Sequence, residues 1–278
     1  MARIQTVLYP TDLSDQSHRA FDHARLIAET FGARLSIYHA LVAEVRLYDT
    51  PGPEQARVAA DAAETAVRAR LEPLLRQLQV SNELVIERDL AVPALADVAV
   101  LRRIEQLTPD LTVMATHSRP GVGGYFVGTV TEQVVRLARR PVLVVRKGPR
   151  EVVSPYRRIL VTTDLSTASE AAFPWSRLFA ERFSAEVIAL HVTGSEGAID
   201  RTAEELRRFV APHHEGVAWR PLVTAGRAWQ EIVSAAAREE ADLIVIATRG
   251  HDSLADDVLG SNTDRVLRSA PCPVCVIG

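Results

Sequence analysis

The stretch Leu160-Val-Thr-Thr-Asp-Leu-Ser166 decides the fold, because the chain carries it twice. Its earlier copy is Leu8-Tyr-Pro-Thr-Asp-Leu-Ser14, in which Asp12 stands 152 residues before Asp164. The same offset joins further identical residues: Phe21 with Phe173, Phe31 with Phe183, and His39 with His191. Repetition at a fixed spacing indicates a duplicated structural unit, so we expect two copies of one fold.

Later in each half the offset is smaller. Ala115-Thr116 matches Ala247-Thr248, and Pro141-Val142 matches Pro273-Val274, both at 132 residues. The difference, 152 − 132, makes the first half 20 residues longer in its middle. We therefore predict three segments: a first domain at 1–147 with an inserted amphipathic helix within about 50–80 (its Ala-, Glu- and Arg-rich part at 54–79), a Gly- and Pro-containing linker at 148–155, and a second domain at 156–278.

Within each half, short apolar runs alternate with segments that have helical spacing. The runs are Thr6–Tyr9, Leu35–Tyr38, Leu84–Ile86, Leu111–Met114 and Val142–Val145, then Ile159–Val161, Val187–Leu190, Leu222–Val223, Leu243–Ile246 and Val274–Ile277. Strands that are apolar on both faces and alternate with helices are typical of a parallel sheet covered on both sides. The sequence predicts an α/β protein of two tandem Rossmann-like domains, each a five-stranded parallel sheet with helices on both faces.

Composition narrows the class of partner. The 278 residues are 47% hydrophobic and 24% charged, with a net charge of −3, which gives no basic surface for nucleic acid. An apolar run of membrane-spanning length and a signal-peptide core are both missing from the sequence, so we expect a cytoplasmic protein that binds neither nucleic acid nor membrane. Cys272-Pro-Val-Cys275 has the spacing of a redox pair or half a zinc site, but the strand pattern of Pro273–Ile277 favours buried packing.

Ligands of open α/β sheets lie beyond the carboxyl ends of the strands. Gly250 and Gly260-Ser261 follow such a strand, and glycine backbone beside a helix N-terminus favours phosphate binding. The alternative is a flexible loop with an ordinary serine cap. Asp12 and Asp164 suit either a ribose contact or a helix cap. We interpret His39 and His191 as packed strand-end residues, and His213-His214 as a solvated helix end.

Together these residues resemble the universal stress proteins, in their tandem two-domain (UspA-like) form. The resemblance rests on Pro10-Thr-Asp-Leu-Ser14, on His39-Ala40 and His191-Val192, and on Ala247-Thr-Arg-Gly250 followed after nine residues by Gly260-Ser261. It implies an ATP-binding fold, with Asp on ribose, the end of the second strand on adenine, and the glycine loop on phosphates. The implied cofactor-binding residues are Thr163, Asp164, Val192, Ala247, Gly250, Gly260, Ser261 and Asn262 in the second half, and Thr11, Asp12, Ala40, Ala115, Ser118, Gly128 and Thr129 in the first.

The two halves depart differently from the family motif. Its first glycine is Ala115 or Ala247, and its second is kept as Gly250 but replaced by Ser118. Serine is strained where the backbone needs a positive φ, so we expect the second half to be the better site. Against this, acidic residues lie in the loop of the second half, and Asp256 and Asp257 are weak candidates for holding Mg²⁺.

Function follows from this resemblance and from what the sequence lacks. It contains no Gly-x-x-x-x-Gly-Lys-Ser/Thr motif and no identifiable catalytic set, so we predict no catalytic residues and at most slow ATP hydrolysis. The expected function is a stress-response regulator that binds ATP, ADP or AMP, changes conformation and is recognised by an unknown protein partner. The alternatives are a weak Mg²⁺-dependent ATPase or transferase, and a pseudo-dimeric scaffold that binds no nucleotide. The resemblance implies that the last strands pair the two halves as an intramolecular pseudo-dimer, with a further homodimer left open.

Overall fold

Two successive runs of strands and helices make up the computed structural model, which describes residues 3–41, 52–88, 95–116, 119–121, 124–126, 128–146, 155–248 and 260–278. The first half contains β1 Thr6–Pro10, α1 Asp15–Phe31, β2 Arg34–Leu41, α2 Pro53–Leu75, β3 Asn82–Arg88, α3 Ala96–Leu107, β4 Leu111–Ala115, β5 Arg119–Gly121, β6 Gly124–Phe126, α4 Thr129–Leu137 and β7 Val142–Val145. The second half contains β8 Arg158–Thr163, α5 Phe173–Phe183, β9 Glu186–Thr193, α6 Ile199–Val210, β10 Trp219–Ala225, α7 Ala228–Arg238, β11 Leu243–Ala247, α8 Ser261–Ser269 and β12 Val274–Ile277, with 3₁₀ turns at Thr167–Ala172, Glu196–Ala198 and Ala211–His213.

The main strands form one sheet in the order β10-β9-β8-β11-β12-β7-β4-β1-β2-β3. Five neighbouring strands come from each half, and within each half they are parallel. The predicted α/β fold of two Rossmann-like units is therefore confirmed. The halves join where β12 pairs antiparallel with β7, the interface implied for the last strands. The domain boundaries at 147–156 stay a prediction.

Each face of the sheet carries its own apolar core. Val7 and Tyr9 of β1 face one core, and Leu8 between them faces the other, because side chains alternate along a strand. Helices α1, α2, α5 and α6 cover the first face, and α3, α4, α7 and α8 cover the second. Strand order reverses between β1 and β4, so a crevice opens at the carboxyl ends of these two strands.

The inserted helix predicted at 54–79 is present as α2. It has 23 residues, whereas its counterpart α6 has 12. Val67 and Leu71 anchor α2 in the core, with 7% and 0% of their surface exposed. On the same helix, Arg70 Nη2 donates to the carbonyl oxygen of Leu13 at 2.8 Å. The insertion thus reaches the loop that follows β1.

Two groups that the sequence singled out are buried. Cys272 and Cys275 are both buried and form no disulfide with each other, and burial raises the pKa of the Cys275 thiol, as expected for packing in a strand. His214 contradicts the prediction of a solvated helix end, since only 1% of its surface is exposed. Its Nε2 lies 2.9 Å from Ser176 Oγ, because the 3₁₀ turn after α6 directs it into the core, where burial lowers its pKa to about 4.

Among the described residues, none of the helices combines the length and the apolar character that a membrane crossing requires.

Candidate functional site

A cavity of about 750 Å³ opens at the carboxyl edge of the first half. Its walls come from the ends of β1, β2 and β4, from the start of α3, and from the first turn of α4. Its lining combines apolar side chains such as Val100 and Met114 with the carboxylate of Asp12 and the backbone of Gly128. The volume lies in the range of small-molecule sites, and a mixed lining of this kind suits a ligand with an apolar and a polar end.

The Asp12 loop has the same geometry in both halves. Asp12 Oδ1 accepts hydrogen bonds from Ser14 N at 3.0 Å and Ser14 Oγ at 2.7 Å. Leu13 between them has a φ of 65°, a left-handed conformation that is uncommon for leucine. In the second half, Asp164 accepts the same two bonds from Ser166, and Leu165 has a φ of 63°.

This loop separates the two roles that the sequence left open for the aspartates. The N-cap of α1 is Ser14, whose side chain accepts from Ser17 N, and Ser166 similarly caps the 3₁₀ turn. Thr11 and Thr163 each accept a hydrogen bond from the backbone of the leucine two residues on. The aspartates therefore orient the capping serines instead of capping the helices. Asp12 itself is exposed at the cavity, as a ligand contact requires.

In each half, a glycine directly precedes the helix whose N-terminus is predicted to bind phosphate. Gly128 is the N-cap of α4 and Gly260 the N-cap of α8, each with a φ of −56°. Neither supplies a side-chain acceptor, so the partial positive charge of the helix start remains available to an anion. Thr129 begins α4, and Ser261 and Asn262, both exposed, begin α8.

Close backbone approach, not a positive φ, explains the glycine at position 260. A Cβ atom built there would lie 3.1 Å from the carbonyl oxygen of Thr248. Gly260 N also donates to that oxygen at 3.3 Å. Behind each helix start a threonine holds the end of the fourth strand: Thr131 Oγ1 donates to Ala115 O at 2.9 Å, and Thr263 Oγ1 to Ala247 O at 3.3 Å.

The ends of the second strands complete the described site residues. Ala40 lies in β2 and lines the cavity, and Val192 holds the equivalent place in β9. His39 Nδ1 lies 2.7 Å from Thr11 O, and His191 Nδ1 lies 2.9 Å from Thr163 O. A ring N–H donated to a carbonyl agrees with hydrogen-bonded strand-end residues, but both histidines are only partly buried and His39 also lines the cavity.

Several predicted positions lie outside the described residues. Ser118, Gly250, Asp256 and Asp257 are among them, so the Mg²⁺ hypothesis and the preference for the second half stay predictions. The cavity described above lies in the first half. It unites Thr11, Asp12, Ala40, Ala115, Gly128 and Thr129.

Glu132 and Tyr38 are among the cavity-wall residues that the sequence analysis did not predict. Glu132 lies in the first turn of α4, four residues after Gly128, a spacing that could have identified it. Tyr38 also lines the cavity, and its hydroxyl donates to Glu87 of β3. Burial, and then that hydrogen bond, raise the pKa of Tyr38, so its hydroxyl stays protonated. No sequence signal pairs Tyr38 with Glu87, because they are 49 residues apart.

Comparison with known proteins places both halves in one group. The sequence matches the Universal stress protein family over residues 3–146 and again over 155–278. A universal stress protein of Methanocaldococcus jannaschii is 32% identical over 139 residues, which cover 44% of this chain and 82% of that protein. A universal stress protein of Mycobacterium tuberculosis is 24% identical over 220 residues, or 72% of this chain and 66% of its own length.

A solved structure extends the similarity to the whole fold. The crystal structure of a universal stress protein from Archaeoglobus fulgidus matches with a TM-score of 0.73 at 20% sequence identity. The match covers 98% of this chain and 97% of the other.

Proposed function

Because the chain belongs to the universal stress protein family, we propose that it binds an adenine nucleotide and acts as a regulatory protein of the stress response. In this proposal ATP, ADP or AMP stabilises one conformation, and a protein partner recognises that conformation. Hydrolysis, if measurable, is slow and incidental.

One observation carries the proposal. The first-half cavity brings a carboxylate, Asp12, and a helix start without a side-chain cap, Gly128 of α4, to the same space. A carboxylate is a good acceptor for ribose hydroxyls, and helix N–H groups are good donors to phosphate. A nucleoside phosphate carries both groups on one molecule, and the 750 Å³ volume is sufficient for it.

The lining residues fit the parts of such a ligand. The apolar wall with Val100 and Met114 suits the face of a base, and the backbone of Ala40 at the end of β2 suits its polar edge. Asp12 is already oriented by its bonds to Ser14. Preorganised groups bind more tightly, because less conformational freedom is lost when the ligand arrives.

The second half repeats the described parts of this arrangement. Asp164 has the same loop geometry as Asp12, and Gly260 caps α8 as Gly128 caps α4. We therefore propose a second adenine-nucleotide site built from Asp164, Val192, Gly260 and Ser261. The proposal for either site includes no metal-dependent step.

Thermal unfolding of the full chain tests the proposal most directly. ATP, ADP and AMP should each be tried, since a ligand at 100 times its Kd stabilises the folded state by about 2.7 kcal/mol. Nucleotide released from the freshly purified protein should be identified in parallel. Photolabelling with an azido-adenine nucleotide, followed by peptide mapping, would assign binding to one half or to both.

Matched variants make the test specific to the site. Asp12→Asn keeps an acceptor oxygen for Ser14 but removes the charge, and it should weaken binding in the first half. Asp15→Asn, at the exposed start of α1, should leave binding unchanged. If none of the three nucleotides raises the melting temperature and no label is incorporated, the proposed function is wrong.

A further inference from the structure

Arg268 of the second half lies between two carboxylates, one from each half. Its Nη2 is 2.8 Å from Asp264 Oδ1 within α8, and its Nε lies 3.0 and 2.9 Å from the two oxygens of the same carboxylate. The same Nη2 is 3.4 Å from Glu132 Oε2 of α4. Arg268 is therefore held on its own helix and extends across the boundary between the halves.

The far partner of Arg268 belongs to the first-half cavity. Glu132 lines that cavity and lies in the first turn of α4, beside the helix start proposed to bind phosphate. A carboxylate at this place repels an anionic ligand, and a guanidinium beside it reduces the repulsion. Strand β6, in the loop that leads to α4, also lies against α8. The phosphate end of the first-half cavity thus borders the second half through two separate contacts.

We propose that Arg268 is a cross-half positioning residue for the first-half cavity, acting through Glu132. It offsets part of the negative charge at Glu132 and so favours a phosphorylated ligand at the start of α4, while Asp264 fixes the guanidinium in place. This inference rests on the proposed function. It adds that the first-half site is complete only when the second half is packed against it.

The duplication supplies a matched control. Arg136 stands 132 residues before Arg268, at the equivalent position of α4, as Glu132 does before Asp264. Arg136 donates to Gln133 of its own helix. A change at Arg136 removes the same charge from the same helical position without touching the contact between Arg268 and Glu132.

Competition for photolabelling of the first half provides the test. Adenosine, AMP and ATP are titrated against an azido-adenine nucleotide on the full chain carrying Arg268→Gln, Arg268→Lys, Arg136→Gln or Glu132→Gln. Partly exposed ion pairs contribute only modest free energies, so we expect Arg268→Gln to weaken ATP binding about two- to fivefold at low salt. Adenosine, which is uncharged, should bind as it does to the unmodified protein. Arg268→Lys should keep most of the ATP affinity. Arg136→Gln should weaken ATP binding less than Arg268→Gln does, and the loss in Arg268→Gln should shrink in 1 M salt.

Glu132→Gln separates this mechanism from a merely structural role. When Arg268→Gln is added to Glu132→Gln, it should weaken ATP binding less than it does in the unmodified chain, because the carboxylate has already been removed. Equal losses for adenosine and ATP, or unchanged ATP binding in Arg268→Gln, would overturn the role of Arg268 and leave the proposed function intact. If the unmodified protein binds none of the three ligands, both proposals are wrong.

Discussion

His23 and Tyr156 form a buried contact between the two halves. His23 Nδ1, on α1, lies 2.8 Å from the hydroxyl of Tyr156, which stands two residues before β8. His23 is 6% exposed and Tyr156 is fully buried, and their rings stack with centroids 5.9 Å apart. Burial lowers the pKa of His23 to about 4, so the imidazole is neutral, and a single hydrogen bond joins its Nδ1 to the tyrosine hydroxyl. The halves are thus held together by a polar contact as well as by β7 and β12.

Tyr156→Phe should destabilise the chain by about 1–3 kcal/mol, because it leaves a buried imidazole nitrogen without its hydrogen-bond partner. Denaturant unfolding of the full chain measures this loss. The double variant Tyr156→Phe with His23→Leu should recover part of it, since removing both polar partners is cheaper than removing one. A Tyr156→Phe chain as stable as the original would show that the contact contributes nothing.

Acid should weaken the fold between pH 6.5 and about 4. Burial lowers the pKa values of His23 and His214 from 6.5 to about 4. Between these pH values the two histidines are protonated in the unfolded chain but stay neutral in the folded chain. The free energy of unfolding is therefore at its full value above pH 6.5 and falls as the pH decreases. The loss is on the order of 3 kcal/mol for each histidine. Unfolding free energies measured at pH 7.5, 5.5 and 4.5 should show it.

The variant His23→Gln removes one of the two histidines that cause this pH dependence. Its free energy of unfolding should depend less steeply on pH than that of the unmodified chain, because the carboxylates contribute the same pH dependence to both proteins. Parallel pH profiles for the two proteins would contradict the assignment of His23.

Gly260→Ala should cost more stability than Gly52→Ala. Both glycines are helix N-caps with similar backbone angles, φ −56° and −57°. A methyl group at 260 meets Thr248 O at 3.1 Å, whereas one at 52 meets nothing within 4 Å. We expect about 1–2 kcal/mol for the crowded site and a few tenths for the open one. Thermal or denaturant unfolding would reveal the difference. Equal losses of stability in the two variants would mean that the backbone at Thr248 shifts to make room for the methyl group without a measurable loss.

Arg70→Ala should loosen the loop that carries Asp12. It removes the 2.8 Å hydrogen bond to Leu13 O, which helps to hold a residue of positive φ. Losing about 1 kcal/mol of local stability would speed amide hydrogen exchange at Leu13 and Ser14 roughly fivefold. Arg68→Ala is the control, because Arg68 pairs with Glu64 on the same helix at 2.9 Å. Unchanged exchange in Arg70→Ala would show that α2 does not support this loop.

Much of the fold could be predicted because its signals are local. The apolar run Leu111–Met114 is buried as part of β4, and the repeat of Thr-Asp-Leu-Ser marks two loops of nearly equal geometry. The edge strands were less predictable. The run Leu84–Ile86 extends to Asn82–Arg88 as β3, whose residues are only partly buried and therefore carry a weaker apolar pattern.

The candidate site, too, was predictable from the sequence only in part. Asp12 and Gly128 follow strand ends, and parallel strands place their carboxyl ends at one edge, so the sequence predicted where these residues lie. The hairpin of β5 and β6 was not predicted, because its glycine-rich sequence has no strand pattern. His214 was assigned wrongly, since neighbouring histidines in sequence do not reveal which one a 3₁₀ turn directs inward.

The sequence by itself determined the duplication, the order of strands and helices, and the strand exits at which a ligand would bind. These follow from hydrophobic period and turn residues within short windows. Only the tertiary structure decided which residues meet across the halves. Arg268 and Glu132 are 136 residues apart, and His23 and Tyr156 are 133 apart. Their contacts depend on the antiparallel pairing of β7 with β12, and no periodicity along the chain encodes that pairing.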